Sequence, residues 1–219
     1  PSSNLSVGST YKIRITTGVK DVAGNALSSQ YETSSGFTTS GLFFAVSNSG
    51  IIRSSDAINW TSQTSVGDGN GGIAYDNNTL VIVGSYLGIY TSSNGTTWTS
   101  RDSSDLSANG YGFDGYGNSI NLNGVTYGNG IFVTVGTDGL IGTSSDNGTT
   151  WTSRTSGTTN TLYGVGFENG VFVAMGTNGT LLTSSDGITW TSRSTGSSWP
   201  FFDVAYGLCS CANSYSSFV

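Results

Sequence analysis

The amino-acid sequence predicts an all-β chain whose larger part is a β-propeller with blades of four antiparallel strands. One phrase recurs four times, and with its tryptophan as a marker, Trp60, Trp98, Trp151 and Trp190 lie 38, 53 and 39 residues apart. A period near 40 residues is typical of propeller blades. Composition favours strands and turns, because the chain has 33 Gly and 12% aromatic residues but only 9% charged residues.

Each repeat contains four short strands. In the copy that ends near residue 195, Asn-Gly dipeptides separate three apolar runs, and a fourth strand begins at Trp190. Asn-Gly and Asp-Gly supply the positive φ angles of tight hairpins, and β-branched residues between them suit a pleated sheet. We place the blades at approximately 41–65, 71–103, 121–156 and 162–195, with a further partial strand at 201–207.

The two ends of this repeat region are incomplete. The first copy, from Gly41, starts at the second strand of the others, while "FFDVAYG" from Phe201 has the first-strand pattern with no complete blade after it. Either the C-terminal strand completes the first blade and closes a ring of four blades, or further blades follow. We favour the second interpretation, because the tail after Gly207 does not match the repeat.

Composition and charge exclude several classes of function. The chain has no His, the commonest general base and metal ligand. Its net charge is −6 and it has no basic run, which argues against a nucleic-acid partner. No apolar run approaches the roughly 20 residues of a membrane span. Cys209 and Cys211 are two residues apart in the sequence, without the other ligands of a metal site. We expect no cofactor and no metal.

The recurring phrase is clearest in "SSDNGTTWTSR", where Ser144, Asp146, Gly148 and Trp151 stand in the pattern S-x-D-x-G-x-x-W. This pattern resembles the Asp-box, or BNR repeat, of sialidase-like propellers. The other three copies are one residue shorter between the acid position and the tryptophan, and one of them has Asn94 in place of Asp. The resemblance implies a structural hairpin between the third and fourth strands of a blade, on the rim away from the ligand face.

Local chemistry favours the same structural role. A side-chain oxygen of Asp or Asn accepts hydrogen bonds from nearby backbone N–H groups, Gly permits a left-handed turn, and the indole covers the seam between blades. Because an amide neither accepts a proton nor attacks as a nucleophile, Asn94 argues against catalysis at this position. The residues that we assign to the structural Asp-box are Asp56, Trp60, Asn94, Trp98, Asp146, Gly148, Trp151, Asp186, Gly187 and Trp190. Arg101, Arg154 and Arg193 recur in register and are interpreted as blade-edge residues.

The longest interval between tryptophans contains an insertion within Asp102 to Ser119. We expect an extended loop between blades, and long loops on rigid scaffolds often carry function. Of the two interpretations of this loop, a surface loop without function is favoured over a functional one. The candidate binding residues on this loop are Tyr111, Tyr116, Asp105 and Asp114, because tyrosine suits both protein and glycan ligands.

Residues 1–40 do not share the period and are expected to form a separate domain before the propeller at 41–219. An alternating strand near Tyr11 leads to a turn and a second strand near residue 37. This segment resembles the C-terminal part of a bacterial Ig-like domain of the SbsA type, through Asp21, Gly24, Asn25, Phe37 and Thr38. The resemblance implies export, and therefore an extracellular or cell-surface location.

These patterns together predict a non-enzymatic bacterial surface or secreted protein, in which an Ig-like stalk presents a propeller that binds a protein or a glycan. One alternative is a fragment of a sialidase-like glycoside hydrolase, which would need a pair of catalytic carboxyl groups or a Tyr and Glu pair. The only glutamates are Glu32 and Glu168. Another alternative is a structural spacer or assembly factor. The sequence defines neither the ligand nor the oligomeric state.

Overall fold

The structure, a computed structural model, describes residues 10–11, 14–15, 31–32, 37–38, 41–47, 50–63, 70–106 and 118–206. Contacts divide the chain into two compact units, one formed by 1–44 with 53–61 and the other by 45–52 with 62–219. Regular structure in the described residues consists of strands and short 3-10 turns, as expected for an all-β chain.

The N-terminal segment contains two antiparallel strand pairs. In the first pair Thr10 lies opposite Thr38, and in the second Arg14 lies opposite Glu32. The strands are β1 (Thr10–Tyr11), β2 (Arg14–Ile15), β3 (Tyr31–Glu32) and β4 (Phe37–Thr38). Asp21, Gly24 and Asn25, which carry part of the Ig-like resemblance, lie outside the described residues.

Three complete blades follow the predicted pattern, since each has four antiparallel strands in chain order. Blade 2 consists of β8 (Asn70–Asp76), β9 (Thr79–Gly84), β10 (Ile89–Ser92) and β11 (Thr99–Ser100). Blade 3 consists of β12 (Leu122–Gly128), β13 (Ile131–Gly136), β14 (Ile141–Ser144) and β15 (Thr152–Arg154). Blade 4 consists of β16 (Leu162–Glu168), β17 (Val171–Gly176), β18 (Leu181–Ser184) and β19 (Thr191–Ser192).

The first strands of these blades pack side by side. Their small residues permit close approach: a Cβ on Gly72 would lie 3.1 Å from the Cα of Gly124, and a Cβ on Gly124 would lie 3.2 Å from the carbonyl oxygen of Tyr163. Each first strand also has a register shift after its first residue, which increases local twist. The first strands therefore form the inner layer of the propeller.

The hydrophobic core lies between blades as well as within them. One buried cluster joins Val81 and Ile89 of blade 2 to Leu122, Phe132 and Trp151 of blade 3. A second cluster joins the opposite face of blade 3 to blade 4, through Val133, Val135, Ile141, Leu162, Phe172 and Leu182. Because β13 is covered on both faces, its nearly continuous apolar sequence is the one expected for a central strand.

The described residues of blade 1 form a sheet of three strands. They are β5 (Phe43–Ser47), β6 (Gly50–Ser54) and β7 (Thr61–Ser62), bonded in that order. At the other end of the repeat region, residues 201–206 do not form a strand, although they lie against β16. A Cβ on Gly164 would lie 2.5 Å from the carbonyl oxygen of Phe202, so this segment approaches β16 as β16 approaches β12.

Candidate functional site

Each complete blade presents two different ends, because its four strands run alternately up and down. At one end lie the turns between first and second strands and the Asp-boxes between third and fourth strands; we call this the box end. At the other lie the turns between second and third strands and the connections to the next blade; we call this the connector end. The connection from blade 2 to blade 3 contains the inserted loop.

The box of blade 3 is a closed network of short hydrogen bonds. The Ser144 hydroxyl donates to Oδ1 of Asp146 at 2.8 Å and accepts from the N–H of Gly148 at 2.9 Å. The same Oδ1 accepts from the backbone N–H groups of Thr149 at 3.1 Å and Thr150 at 2.9 Å. The acid side chain therefore replaces the backbone partners that the turn lacks.

The other three boxes form the same pair of bonds although they are one residue shorter. In each, one side-chain oxygen accepts from the second and third backbone N–H groups that follow, at 2.8 to 2.9 Å, and the acceptors are Asp56, Asn94 and Asp186. Asn94 provides this geometry without a charge, because only its carbonyl oxygen is used.

These bonds stabilise the ionised carboxylates. Hydrogen bonds from the N–H groups of Thr189 and Ile188 lower the pKa of Asp186 to about 2. The backbone and side-chain amides of Asn59 lower the pKa of Asp56 further. For Asp146, partial burial raises the pKa, but the hydrogen bonds that it accepts outweigh this effect and the net shift is downward. Such groups are poor general acids or bases near neutral pH, because they stay ionised.

The box tryptophans differ in one respect. The indole N–H donates to a backbone carbonyl within the box in three copies: Trp60 to Ala57 at 3.3 Å, Trp151 to Gly148 at 3.0 Å and Trp190 to Gly187 at 3.0 Å. In blade 2 the Nε1 atom of Trp98 is buried and has no hydrogen-bond partner. The indole N–H of blade 2 is therefore a buried donor without an acceptor, whereas the same N–H has an acceptor in the other three boxes.

The boxes of blades 3 and 4 also contact the blade before them. The Nδ2 atom of Asn77, in the first turn of blade 2, donates to Oδ1 of Asn147 in the box of blade 3 at 2.7 Å. Asn129, in the first turn of blade 3, donates in the same way to the carbonyl of Ser185 in the box of blade 4 at 2.9 Å. The boxes therefore join neighbouring blades at the box end.

The repeated arginines bond within their own blades. The Nε atoms of Arg101, Arg154 and Arg193 donate to the hydroxyl oxygens of Thr91, Thr143 and Thr183, at 2.7, 2.9 and 2.8 Å. Each pair joins the fourth strand, or the residue after it, to the third strand of the same sheet. The arginine thus recurs once in each of blades 2 to 4, at the strand that forms the edge of the sheet, and blade 1 has Gln63 in its place.

An open groove of about 820 Å³ lies at the connector end of blade 3. Its lining is mostly hydroxyl, amide and glycine groups, with the apolar side chains of Leu106, Ile120 and Leu140 and the two charged residues Asp138 and Arg154. The connection after blade 3 forms one wall, because residues 155–160 line the groove. A Cβ on Gly139 would lie 2.0 Å from the carbonyl oxygen of Thr158, so the turn and the connection are in close contact.

The predicted binding residues fall at the edge of this groove or outside the described residues. Asp105 is exposed, in the 3-10 turn Ser104–Leu106, directly before the buried groove residue Leu106. Tyr111, Asp114 and Tyr116 lie outside the described residues. The assignment of these four residues to binding remains a prediction.

Sequence reasoning missed Tyr86, which is half-exposed at the connector end of blade 2. Its φ of 56° lies in the left-handed region, where blade 3 has Asp138 and blade 4 has Asn178. Its backbone N–H donates to Oδ1 of Asn121 at 3.3 Å. Aromatic residues are uncommon in this conformation. The signal in the sequence is the replacement of the usual Asp-Gly or Asn-Gly dipeptide by Tyr86-Leu87.

Two features are absent from the described part of the chain. No helix there is long and apolar enough to cross a membrane. The same residues contain no group of three or more His, Cys, Asp or Glu side chains that could hold a metal ion.

Comparison with known proteins gives separate results for the two parts of the chain. Residues 1–39 match the family model described as a bacterial Ig-like domain. No curated protein matches the chain. The N-terminal segment is thus similar to bacterial Ig-like domains.

Solved structures with a similar fold are propeller proteins. YCF48 bound to D1 peptide is 16% identical with a TM-score of 0.50, over 72% of this chain and 50% of that chain. A GH130 family structure is 15% identical with a TM-score of 0.40, over 65% of this chain and 53% of that chain. Trypanosoma rangeli sialidase in complex with the inhibitor DANA is 12% identical with a TM-score of 0.43, over 83% of this chain and 42% of that chain.

The first of these likenesses, together with the strand order of blades 2 to 4, defines a β-propeller fold after the Ig-like segment. The chain spans about half the length of these solved structures. At such low identity the likeness shows the fold alone.

Proposed function

We propose that the chain is part of a non-enzymatic bacterial cell-surface or secreted protein whose propeller binds a protein or glycan ligand at its connector end. The match of residues 1–39 to a bacterial Ig-like domain supports the location, because such domains are typical of surface proteins. In this proposal the Ig-like part is a stalk, and the groove of blade 3 with the inserted loop is the binding surface.

The observation that carries the proposal is the groove itself. Its wall is rich in Ser, Thr and Asn side chains, and Thr155, Gly157 and Thr159 of the connection are exposed. Hydroxyl and amide groups suit the hydroxyls of a glycan or the backbone of a peptide, and they provide specificity without strong charge. The groove also adjoins the insertion, which is the largest departure from the repeat, and variable loops on a rigid scaffold are common binding sites.

The distribution of carboxylates supports a non-enzymatic role. The described lining of the groove contains one carboxylate, Asp138, whereas glycoside hydrolysis generally uses two carboxyl groups on either side of the scissile bond. The ionised aspartates of the boxes lie at the opposite end of the blades, and their oxygens are occupied by turn hydrogen bonds. None of them faces the groove.

Ligand binding tests this proposal. The full chain, fluorescently labelled, is applied to arrays of sialylated, mannosylated and β-glucan oligosaccharides and of bacterial and host surface peptides, and hits are measured by calorimetry. Replacing 107–117 by a short Gly-Ser linker, or Asp138→Ala, should weaken binding of a hit at least about tenfold if they remove one or more central contacts. Unchanged binding by both variants would place the site elsewhere.

A matched control lies at the box end. Ile188→Ala changes an exposed side chain within a box and should leave binding unchanged. Thermal unfolding of every variant separates lost binding from lost folding. Turnover of fluorogenic sialosides or β-glucans by the wild-type chain would overturn the non-enzymatic part of the proposal, whatever the array shows.

A further inference from the structure

A second cavity, of about 450 Å³, lies between the outer part of blade 2 and the box of blade 3. Thr79, Thr91, Thr99 and Arg101 are on the side of blade 2, and Asp146 is on the side of blade 3. The described lining consists only of Ser, Thr, Asn, Asp and Arg side chains. The volume is within the range of small-molecule sites, and the lining suits a strongly polar ligand.

Two irregular positions of the boxes meet in this cavity. Asn94 replaces the acid of the other three boxes, and Asn147 is the extra residue of the longer box, between Asp146 and Gly148. Asn94 lines the cavity from blade 2 and Asn147 lines it from blade 3. The fold therefore brings the two departures from the repeat, which belong to separate blades, to one place.

The corresponding seam between blades 3 and 4 has a different chemistry. The cavity has Thr79 at the start of the second strand and Thr149 after the box glycine, whereas the seam between blades 3 and 4 has Ile131 and Ile188 at these positions. A Cβ on Gly187 would lie 2.7 Å from Cδ1 of Ile131, so this isoleucine packs against the next box. That seam also has an acid in the place of Asn94. The polar lining is therefore a property of one seam and not of the repeat.

The groups that remain for a ligand are mainly hydrogen-bond donors. Oδ1 of Asn94 accepts N–H groups of its own turn, and Oδ1 of Asn147 accepts from Asn77 at 2.7 Å. Neither Nδ2 atom of these two cavity residues donates to a group in the described part of the chain. Nε of Arg101 donates to Thr91 at 2.7 Å, which leaves both Nη atoms for a ligand. A ligand rich in acceptor oxygens satisfies these donors.

We propose that this cavity binds a tetrahedral oxyanion, the sulfate or phosphate ester of a sugar. The oxyanion accepts hydrogen bonds from Nη of Arg101 and from Nδ2 of Asn94 and Asn147, and the hydroxyl groups of the lining bond to the sugar. A sulfate or phosphate ester has three terminal oxygens that point in different directions, which suits donors from both walls. This site is separate from the groove at the connector end.

One charge in the cavity opposes the anion. Asp146 is an ionised carboxylate in the same lining as Arg101. Because the guanidinium and the carboxylate offset each other, hydrogen bonds and not net charge provide most of the affinity. We expect weak binding of a single ester group, with a dissociation constant on the order of 1 mM.

Asn94→Asp is the most direct variant, because Asp186 forms the same turn in the box of blade 4. The substitution replaces a donor by a second carboxylate and should weaken binding at least about tenfold. Asp146→Asn removes the opposing charge and should tighten binding several-fold. The matched control is Asp186→Asn, which removes the same charge from a box outside the cavity and should change binding by less than about twofold.

An NMR titration of the full chain measures binding at this site. The isotope-labelled wild-type chain is titrated with glucose 6-sulfate, glucose 6-phosphate and glucose at constant ionic strength. The side-chain amide signals of Asn94 and Asn147 should shift in a saturable manner with the two esters and not with glucose. The ester that binds more tightly identifies the source of the oxyanion. Asp138→Ala, in the groove at the connector end, should bind both esters like the wild type.

Three results overturn the proposal. The first is that glucose shifts the two amide signals as strongly as the esters do. The second is that Asn94→Asp, shown to be folded by thermal unfolding, binds the esters as tightly as the wild type. The third is that Asp186→Asn tightens binding as much as Asp146→Asn, because the effect then depends on the net charge of the chain and not on the cavity. If Asn94→Asp does not fold, the wild-type titration and the comparison of Asp146→Asn with Asp186→Asn decide the question.

Discussion

At the scale of single residues, the boxes show how one side-chain oxygen determines a turn. The oxygen accepts two consecutive backbone N–H groups in every copy, whether the residue is Asp186 or Asn94. The amide provides the same acceptor as the carboxylate but does not titrate. The difference between the two residues therefore appears only in the response of stability to pH.

The pKa of Asp186 predicts an acid-dependent loss of stability. Its ordinary value is 3.8, and hydrogen bonds from Thr189 and Ile188 lower it to about 2 in the folded chain. A carboxyl whose folded pKa is lower than its unfolded pKa stabilises the fold above the unfolded value, and this contribution disappears as pH falls through the folded value. We expect the free energy of unfolding to fall between about pH 4 and pH 2, and Asp186→Asn to reduce that slope.

Urea denaturation at a series of pH values measures this slope. The control is Ile188→Ala, which changes an exposed side chain of the same box without removing a titrating group and should leave the acid slope close to that of the wild type. If Asp186→Asn has the wild-type slope between pH 4 and pH 2, the box carboxylate is not held in its ionised form by the turn.

Trp98 and Trp190 form a matched pair for a second prediction. Both are half-buried in short boxes, but Trp190 donates to the Gly187 carbonyl at 3.0 Å whereas Nε1 of Trp98 has no partner. Replacing each by Phe removes the donor. Trp190→Phe should therefore cost about 1 kcal/mol more than Trp98→Phe, since it also removes a hydrogen bond. Equilibrium denaturation of the two variants tests the difference, and equal costs would contradict it.

At the scale of elements, the turns between second and third strands combine left-handed backbone with close packing. Blades 3 and 4 place Gly139 and Gly179 there, with φ of 69° and 67°. Blade 2 has Leu87 at this position with φ of 60°. Leu87 is buried in the core between blades 2 and 3, and its N–H donates to the Ile120 carbonyl at 3.1 Å. Burial of the leucine offsets the strain that its conformation costs.

A comparison of two glycines at the connector end distinguishes the cost of a left-handed backbone from the cost of a steric clash. Gly139 and Gly157 both have positive φ, but only at Gly139 would a Cβ meet backbone, 2.0 Å from the Thr158 carbonyl oxygen. Gly157→Ala should cost about 1 kcal/mol, which is the cost of the left-handed conformation alone. Gly139→Ala should cost at least about 1–2 kcal/mol more, because the turn and the connection must separate. Urea denaturation measures both costs. Similar costs for the two variants would contradict the close contact between Gly139 and the Thr158 carbonyl.

The sequence predicts most elements of blades 2 to 4 because period, turn dipeptides and apolar runs agree there. Asn169-Gly170 and Asn178-Gly179 do form the two turns of blade 4. The Tyr86-Leu87 turn was not predictable in this way, since its conformation depends on burial of Leu87 between blades. The groove was not predictable either, because it is built from Leu106, Asp138 and residues 155–160, which are far apart in the sequence.

At the scale of the whole molecule, the described propeller is held by contacts between neighbouring blades. Phe132 belongs to the cluster shared by blades 2 and 3, and Phe172 to the cluster shared by blades 3 and 4. Because blade 3 contributes to both clusters, it cannot unfold without exposing the cores of its neighbours. Stability in such an array depends on nearest-neighbour interfaces.

Phe132→Ala should therefore destabilise more than one blade. The side chain is fully buried, and removing it should cost about 3–5 kcal/mol. Circular dichroism and tryptophan fluorescence should still show coincident transitions at a lower denaturant concentration. Tyr75→Ala, at an exposed position of blade 2, is the control and should shift the midpoint little. Separate transitions for the two probes in the wild type would contradict cooperative unfolding.

The bond that joins the boxes of blades 3 and 4 to the preceding blade has a consequence for how such chains change in length. Asn77 is held by the box of blade 3, and Asn129 by the box of blade 4. A tandem duplication of one repeat in the gene would thus add both a blade and the residue that attaches it to its predecessor. The number of repeats can then grow one unit at a time, with no compensating substitution elsewhere.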